Sequence, residues 1–235
     1  VWPIPPPPTD PDLQLALTWL WRTRAAERHA WSPSAPPELV FVDVETTRDR
    51  IVELAVVRLS RGRPPAVWAT WVDPGAEGHH RTSRYWNTPI HGLTERLVSG
   101  APTFAQAAPT LAHHFAPGPG GPVVMVGHNV SFERRFLVDE LSRTGGSLTA
   151  PSLCTLALAR ALYPRRRADG DGYGLEELAP MLDVRNPAPH RAMGDTLTTV
   201  GCLLAMLERN PGQAAWAVAQ ARSGDPVANP WTRVG

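Results

Sequence analysis

The stretch ELVFVDVETT, residues 38–47, decides the fold. Leu39 to Val44 is an apolar run rich in β-branched residues, the pattern of a buried strand. Asp43 interrupts that run. A carboxylate inside a buried strand is costly unless something offsets its charge. Residues two apart on a strand share a face, so Asp43 and Glu45 point the same way. Two adjacent carboxylates repel unless a cation lies between them. Thr46 and Thr47 then close the strand with short polar groups. A strand-end acidic pair facing solvent accounts for the same residues, so this pair alone decides nothing about function.

Two further segments change the weighing. Val123 to Val126 is a second β-branched run, broken by Gly127-His128-Asn129. Phe132, Arg135, Phe136, Val138 and Leu141 follow at helical spacings. Glu133 therefore sits in the first turns of a helix, close to the C-terminal end of a strand. Ligands in open α/β sheets gather at that edge. A first-turn acid favoured by the helix dipole is the competing reading.

The third segment is Ala188-Pro189-His190-Arg191, which leads into a helix expected over about 192–208. Leu197, Val200, Leu203, Leu204 and Leu207 supply its packing side, and Asp195 lies in its first turns. His190 is five positions before Asp195, roughly 140° around an ideal helix. The two share a site only if His190 comes from the helix entry. Four carboxylates and one histidine from three separated segments suit a site for two divalent metal ions. Such a site hydrolyses a phosphodiester bond.

These segments resemble the motifs of the DnaQ-like 3′–5′ exonucleases of the DEDDh branch, the family that includes the epsilon subunit of DNA polymerase III. FVDVETT is similar to the first exonuclease motif, GHNVSFERRFL to the second and HRAMGDTLTT to the third. RIVELAVVRL and IHGLT also match the family pattern. The resemblance runs from about residue 38 to about residue 207. It implies a ribonuclease H-like α/β fold, a mixed five-stranded sheet with helices on both faces. It also implies two divalent ions, Mg²⁺ or Mn²⁺, as cofactors. Asp43, Glu45 and Asp195 would hold them, with Asp43 bridging, Glu133 orienting the surrounding water and His190 acting as general base. Thr46, His91, Leu93, His128, Asn129 and Phe132 are expected to meet the substrate. The implied reaction is release of nucleoside 5′-monophosphates from the 3′ end of single-stranded DNA, in proofreading or repair. Short RNA or transfer-RNA 3′ ends are an alternative substrate. An attenuated enzyme serving as a nucleic-acid-binding or polymerase accessory subunit is a further alternative. The expected partners are single-stranded DNA or RNA 3′ ends, a DNA polymerase and a sliding clamp.

Two departures stand out. The second-motif acid of the family is Asp, and here it is Glu133. The extra methylene adds about 1.3–1.5 Å of reach. Asp139 falls on the wrong helical face to replace it, and Glu140 lies about two turns on, roughly 10 Å. The other departure is Arg48-Asp49-Arg50, which leads straight into IVELAVV and demands a tight turn.

The 235-residue chain is long enough for one α/β core with extensions. The expected division is a proline-rich tail over 1–9, an amphipathic helix and linker over 10–37, an exonuclease domain over 38–209 and a tail over 210–235. Gln14, Leu17 and Trp19 faintly resemble a clamp-binding peptide, although packing on the domain is the stronger reading. Strands are expected over 39–45, 51–59 and 66–72, and helices over 103–115, 131–143, 152–162, 175–182 and 192–208. All 23 basic side chains are arginine and the net charge is only +1. No global basic field holds nucleic acid, so binding must rest on local arginines and on metals. Arg165-Arg166-Arg167 is either a solvated loop or a phosphate contact. Trp71, Tyr85 and Trp86 are either core or base-stacking groups. Cys154 and Cys202 lie in apolar helical patterns and read as reduced core residues. No run reaches transmembrane length and the first residues lack signal-peptide order, so a bacterial cytoplasmic location with no membrane partner is expected.

Overall fold

A computed structural model describes residues 38–60, 63, 65–75, 86–118, 121–163 and 172–210. The expectations for the tails, the amphipathic helix, the clamp-like residues, Tyr85 and Arg165–Arg167 lie outside them. Five strands form one sheet: β1 Glu38–Thr46, β2 Ile51–Leu59, β3 Ala66–Trp71, β4 Val123–Gly127 and β5 Ser152–Cys154. Their order is β3-β2-β1-β4-β5. The first three pair antiparallel, whereas β1–β4 and β4–β5 pair parallel. The helices among the described residues are α1 Thr88–His91, α2 Glu95–Val98, α3 Phe104–Phe115, α4 Val130–Arg143, α5 Thr155–Leu162, α6 Leu175–Met181 and α7 Ala192–Arg209.

Alternation along β1 sorts the protein into two cores. Leu39 and Phe41 face a layer built from α5, α6 and α7, including Leu158, Leu178, Val200 and Leu203. Val40, Val42 and Val44 face α3 and α4, through Phe104, Leu111, Phe136 and Leu137. Helices thus cover both faces, as a sheet with apolar residues on both sides requires. The same alternation puts Asp43 and Glu45 on the α7 side.

One expectation needs correction. Residues 152–162 do not form a single helix. Ser152 to Cys154 pair with Met125 to Gly127 as an edge strand, and α5 starts only at Thr155. Cys154 is therefore a partly exposed strand residue, whereas Cys202 is buried in α7. Thr103 caps α3 as expected, and with Gln106 it forms a reciprocal capping box. The link after β1 is tight: Thr47 N–H donates to Arg50 O at 2.8 Å, and Thr47 Oγ1 accepts from Arg50 N–H at 3.0 Å.

Candidate active site

Asp43 and Glu45 enter the site from the end of β1, and Asp195 enters from the first turn of α7. Each offers one carboxylate oxygen, and these oxygens all lie within 4.8 Å of one another. All three groups are partly exposed at the C-terminal edge of β1. Burial raises the Asp43 pKa well above its usual value, and the charges of Glu133, Asp195, Glu45 and Glu53 push it further. Burial, then Asp195 and Glu53, raise Glu45 to about 8. Asp195 is raised by burial, against hydrogen bonds that favour its charged form. Asn186 Nδ2 donates to its Oδ1 at 2.7 Å, and His190 N–H donates to its Oδ2 at 3.0 Å. A cluster that resists ionisation without a cation is the environment a cation relieves.

Glu133 comes from the opposite layer, in the first turn of α4. It is buried, and burial raises its pKa to about 8. Its charge is felt at Asp43, yet it falls outside the tight trio. Its Oε2 is buried with no hydrogen-bond partner among the described residues. An orphaned carboxylate oxygen beside three clustered carboxylates fits a divalent cation and its water, which would satisfy it. Glu140 is no substitute for it. Its oxygens accept from Arg50 Nε at 2.7 Å, Arg50 Nη2 at 3.2 Å and the Ile51 N–H at 3.3 Å, so it ties α4 to the tight turn.

His190 stands at the entry to α7 with φ of +57°, a left-handed conformation that costs about 1–2 kcal/mol for an L-residue. The close approach of its loop depends on Gly194, because a Cβ there would stand 2.0 Å from Ala188 O. The His190 ring is half-exposed, and its Nε2 meets Glu176 Oε1 at 2.8 Å. A carboxylate only accepts, so Nε2 carries the proton and Nδ1 is the basic nitrogen.

The other expected residues divide into anchors and surface groups. His91 is buried. Its Nδ1 accepts from Leu93 N–H at 3.0 Å, which leaves Nε2–H to donate to Thr46 O at 3.2 Å. Burial lowers its pKa, consistent with this neutral tautomer. Thr46 is itself buried, and its carbonyl also accepts from Asn87 Nδ2 at 2.9 Å. Leu93 packs with Val52, Trp86 and Val98 in a small core and presents almost no surface. His128 Nε2 donates to Tyr173 O at 2.9 Å, and its Nδ1 lies 3.0 Å from the Thr155 hydroxyl. The rings of His91 and His128 and the side chain of Leu93 thus hold the site's walls together. Asn129 is the left-handed residue (φ 76°) that turns the chain from β4 into α4. Phe132 is exposed, 4.9 Å from Phe136, with the Arg135 guanidinium over both rings.

Sequence reasoning missed Glu53. It stands directly opposite Glu45 on β2 and is buried. An acid within the apolar run IVELAVV was the available signal. Of the candidate stacking aromatics, Trp86 is buried, and Trp71 donates Nε1–H to Glu53 Oε1 at 3.2 Å.

A family described as exonuclease, RNase T type, matches residues 38–203. The chain belongs to this exonuclease family. Its DnaQ-like 3′–5′ exonuclease domain is 34% identical over 182 residues to a DNA polymerase III subunit epsilon-like protein of Rhodobacter capsulatus. That alignment covers 72% of this chain and 24% of the relative. A PolC-type DNA polymerase III of Clostridium perfringens is 30% identical over 71% of this chain and 11% of its own. The chain thus spans only a minor part of both relatives. The solved structure of exonuclease X in complex with 5′ overhanging duplex DNA aligns with a TM-score of 0.57. It is 23% identical over 78% of this chain and 99% of that one, a likeness of fold. Among the described residues no helix is long and apolar enough to cross a membrane.

Proposed function

We propose that this exonuclease domain hydrolyses the 3′-terminal phosphodiester of single-stranded DNA and releases nucleoside 5′-monophosphates. The observation that carries the reading is the Asp43, Glu45 and Asp195 trio, with the orphaned Glu133 carboxylate beside it. Asp43, Glu45 and Asp195 would hold two divalent ions, Mg²⁺ or Mn²⁺, which supply Lewis acidity at the phosphoryl group. Glu133 orients water at the rim of that site. His190 removes the proton from the attacking water through Nδ1, while Glu176 holds Nε2–H. The water oxygen bonds to phosphorus, and the 3′ oxygen of the penultimate nucleotide departs and takes a proton from solvent.

The DNA preference and a place beside a polymerase, in proofreading or repair, draw support from the epsilon-like relative. Incubation with 5′-labelled single-stranded DNA and RNA, in Mg²⁺, Mn²⁺ or EDTA, tests all of this. A ladder shortening from the 3′ end, faster on DNA and absent in EDTA, is expected. Binding without cleavage would instead mark an accessory subunit, and faster loss of RNA would reassign the substrate.

A further inference from the structure

We propose that Glu53 is a positioning residue for the histidine loop. Every acceptor direction of this buried carboxylate is used. Arg191 Nε reaches Oε2 at 3.1 Å and Oε1 at 3.2 Å, and Arg191 Nη2 reaches Oε1 at 2.6 Å. Ala192 N–H, at the first turn of α7, donates to Oε2 at 2.9 Å, and Trp71 Nε1–H donates to Oε1. A bidentate guanidinium fixes both distance and plane. The Arg191 guanidinium also lies 6.0 Å from the Trp71 ring centroid. Arg191 immediately follows His190, and Ala192 opens the helix that carries Asp195. One carboxylate on β2 therefore sets where the α7 entry begins.

Such a clamp is needed here. His190 holds a left-handed backbone that the chain does not adopt unaided. Its N–H reaches Asp195 while its ring meets Glu176. Glu53 and Arg191 fix the residue after the turn, and Asp195 fixes the turn from inside. Glu53 is not one of the clustered trio and acts on the loop by direct hydrogen bonds, although its charge is also felt at Asp43 and Glu45. Arg191 also offsets the like-charge pair Glu45 and Glu53, which face each other across two strands.

The proposal rests on His190 being the general base, and its test separates the two ideas. Glu53→Gln and Arg191→Met are compared with wild type for 3′ degradation of single-stranded DNA, melting temperature and histidine ring NMR in metal-free protein. Arg191→Met serves if Glu53→Gln does not fold, because it leaves Glu53 its Ala192 and Trp71 donors. The kcat should fall at least about tenfold, but by no more than the roughly 10²–10⁴-fold that loss of the general base itself costs. KM for DNA should hardly change. The His190 ring signals, identified by their loss in His190→Ala, should shift or broaden, while those of His114, stacked on Trp68 in the other layer, stay. Adding Glu53→Gln to His190→Ala should cost almost nothing further. Unmoved His190 signals in the folded variants, or effects that multiply in the double variant, overturn the proposal. If the signals move but His190→Ala keeps the wild-type rate, the positioning stands and the general-base reading falls.

Discussion

The carboxylate of Glu133 lies against Gly127, where an added Cβ would stand only 3.1 Å from Oε2. The missing side chain at the end of β4 makes room for the longer acid. Glu133→Gln keeps the length but removes the charge that helps hold a cation, so activity should fall and the Mg²⁺ requirement should rise. Glu133→Asp should keep or raise activity, because it draws back from Gly127 and retains the charge. Gly127→Ala should impair the wild type more than the Glu133→Asp background. Rates across Mg²⁺ and Mn²⁺ titrations check this. Equal behaviour of Glu133→Gln and wild type at every concentration would reduce Glu133 to a first-turn helix acid.

Asp43→Ala should abolish nuclease activity without unfolding the protein. Asp43 feels the negative charges of Glu133, Asp195, Glu45 and Glu53 together. Removing it in EDTA should leave the melting temperature unchanged or higher. Wild-type turnover by this variant would reject Asp43 as the central ligand.

His190→Ala should lower kcat by about 10²–10⁴-fold, the usual worth of general-base catalysis. Its affinity for DNA should persist, since the ring's bonding partner among the described residues is Glu176. A loss of less than about threefold, well below that range, would assign proton removal to another group.

Metal-free protein should lose stability as pH rises toward 8. Glu45 and Glu133 both hold their protons to about 8 in the fold, above the 4.5 of the unfolded chain. The stability they contribute is complete below 4.5 and disappears as pH rises through 8. His91, His114 and His128 are lowered from 6.5 by burial and act the opposite way, but only below about that pH. The clean window is therefore pH 7 to 8.5. There, melting in EDTA should drop by about 2–4 °C for each kcal/mol lost. Mg²⁺ should flatten the curve. A curve equally steep with and without Mg²⁺ would mean that no cation meets these acids.

Gly194→Ala opposes two effects. Alanine favours a helix interior over glycine by about 1 kcal/mol. The new Cβ would, however, stand 2.0 Å from the Ala188 carbonyl, a backbone atom that cannot rotate away. The clash should win, lowering stability by about 1–3 kcal/mol. Activity should fall further than stability, because the displaced loop carries His190. A more stable and fully active Gly194→Ala protein would show that the loop approaches α7 less closely than described.

The three antiparallel strands were legible to within a residue, because alternation and β-branching are local signals. So was the meeting of Asp43, Glu45 and Asp195, through chain motifs and not through any property of single residues. The edge strand at Ser152 was not legible. Three residues carry no periodicity, and their pairing with Met125 to Gly127 is set by the sheet. The hydrogen bonding of His91 and His128 was hidden for a similar reason. What marks their rings as anchors is the carbonyls of Thr46 and Tyr173, far away in sequence. Glu53 was visible as a misplaced acid, but its partner Arg191 came from another layer.

The acids are split between the first strand and the last described helix, and this has a consequence for the growing chain. While α7 is still inside the ribosome, Asp43 and Glu45 exist without Asp195, and the α7 share of one core is missing. Domains fold as units during synthesis. Cutting ability is therefore expected only once α7 has left the ribosome, and a product that stops before α7 lacks Asp195. The same arrangement would make nuclease activity a sensitive gauge of damage, because detachment of α7 would take Asp195 away from Asp43 and Glu45.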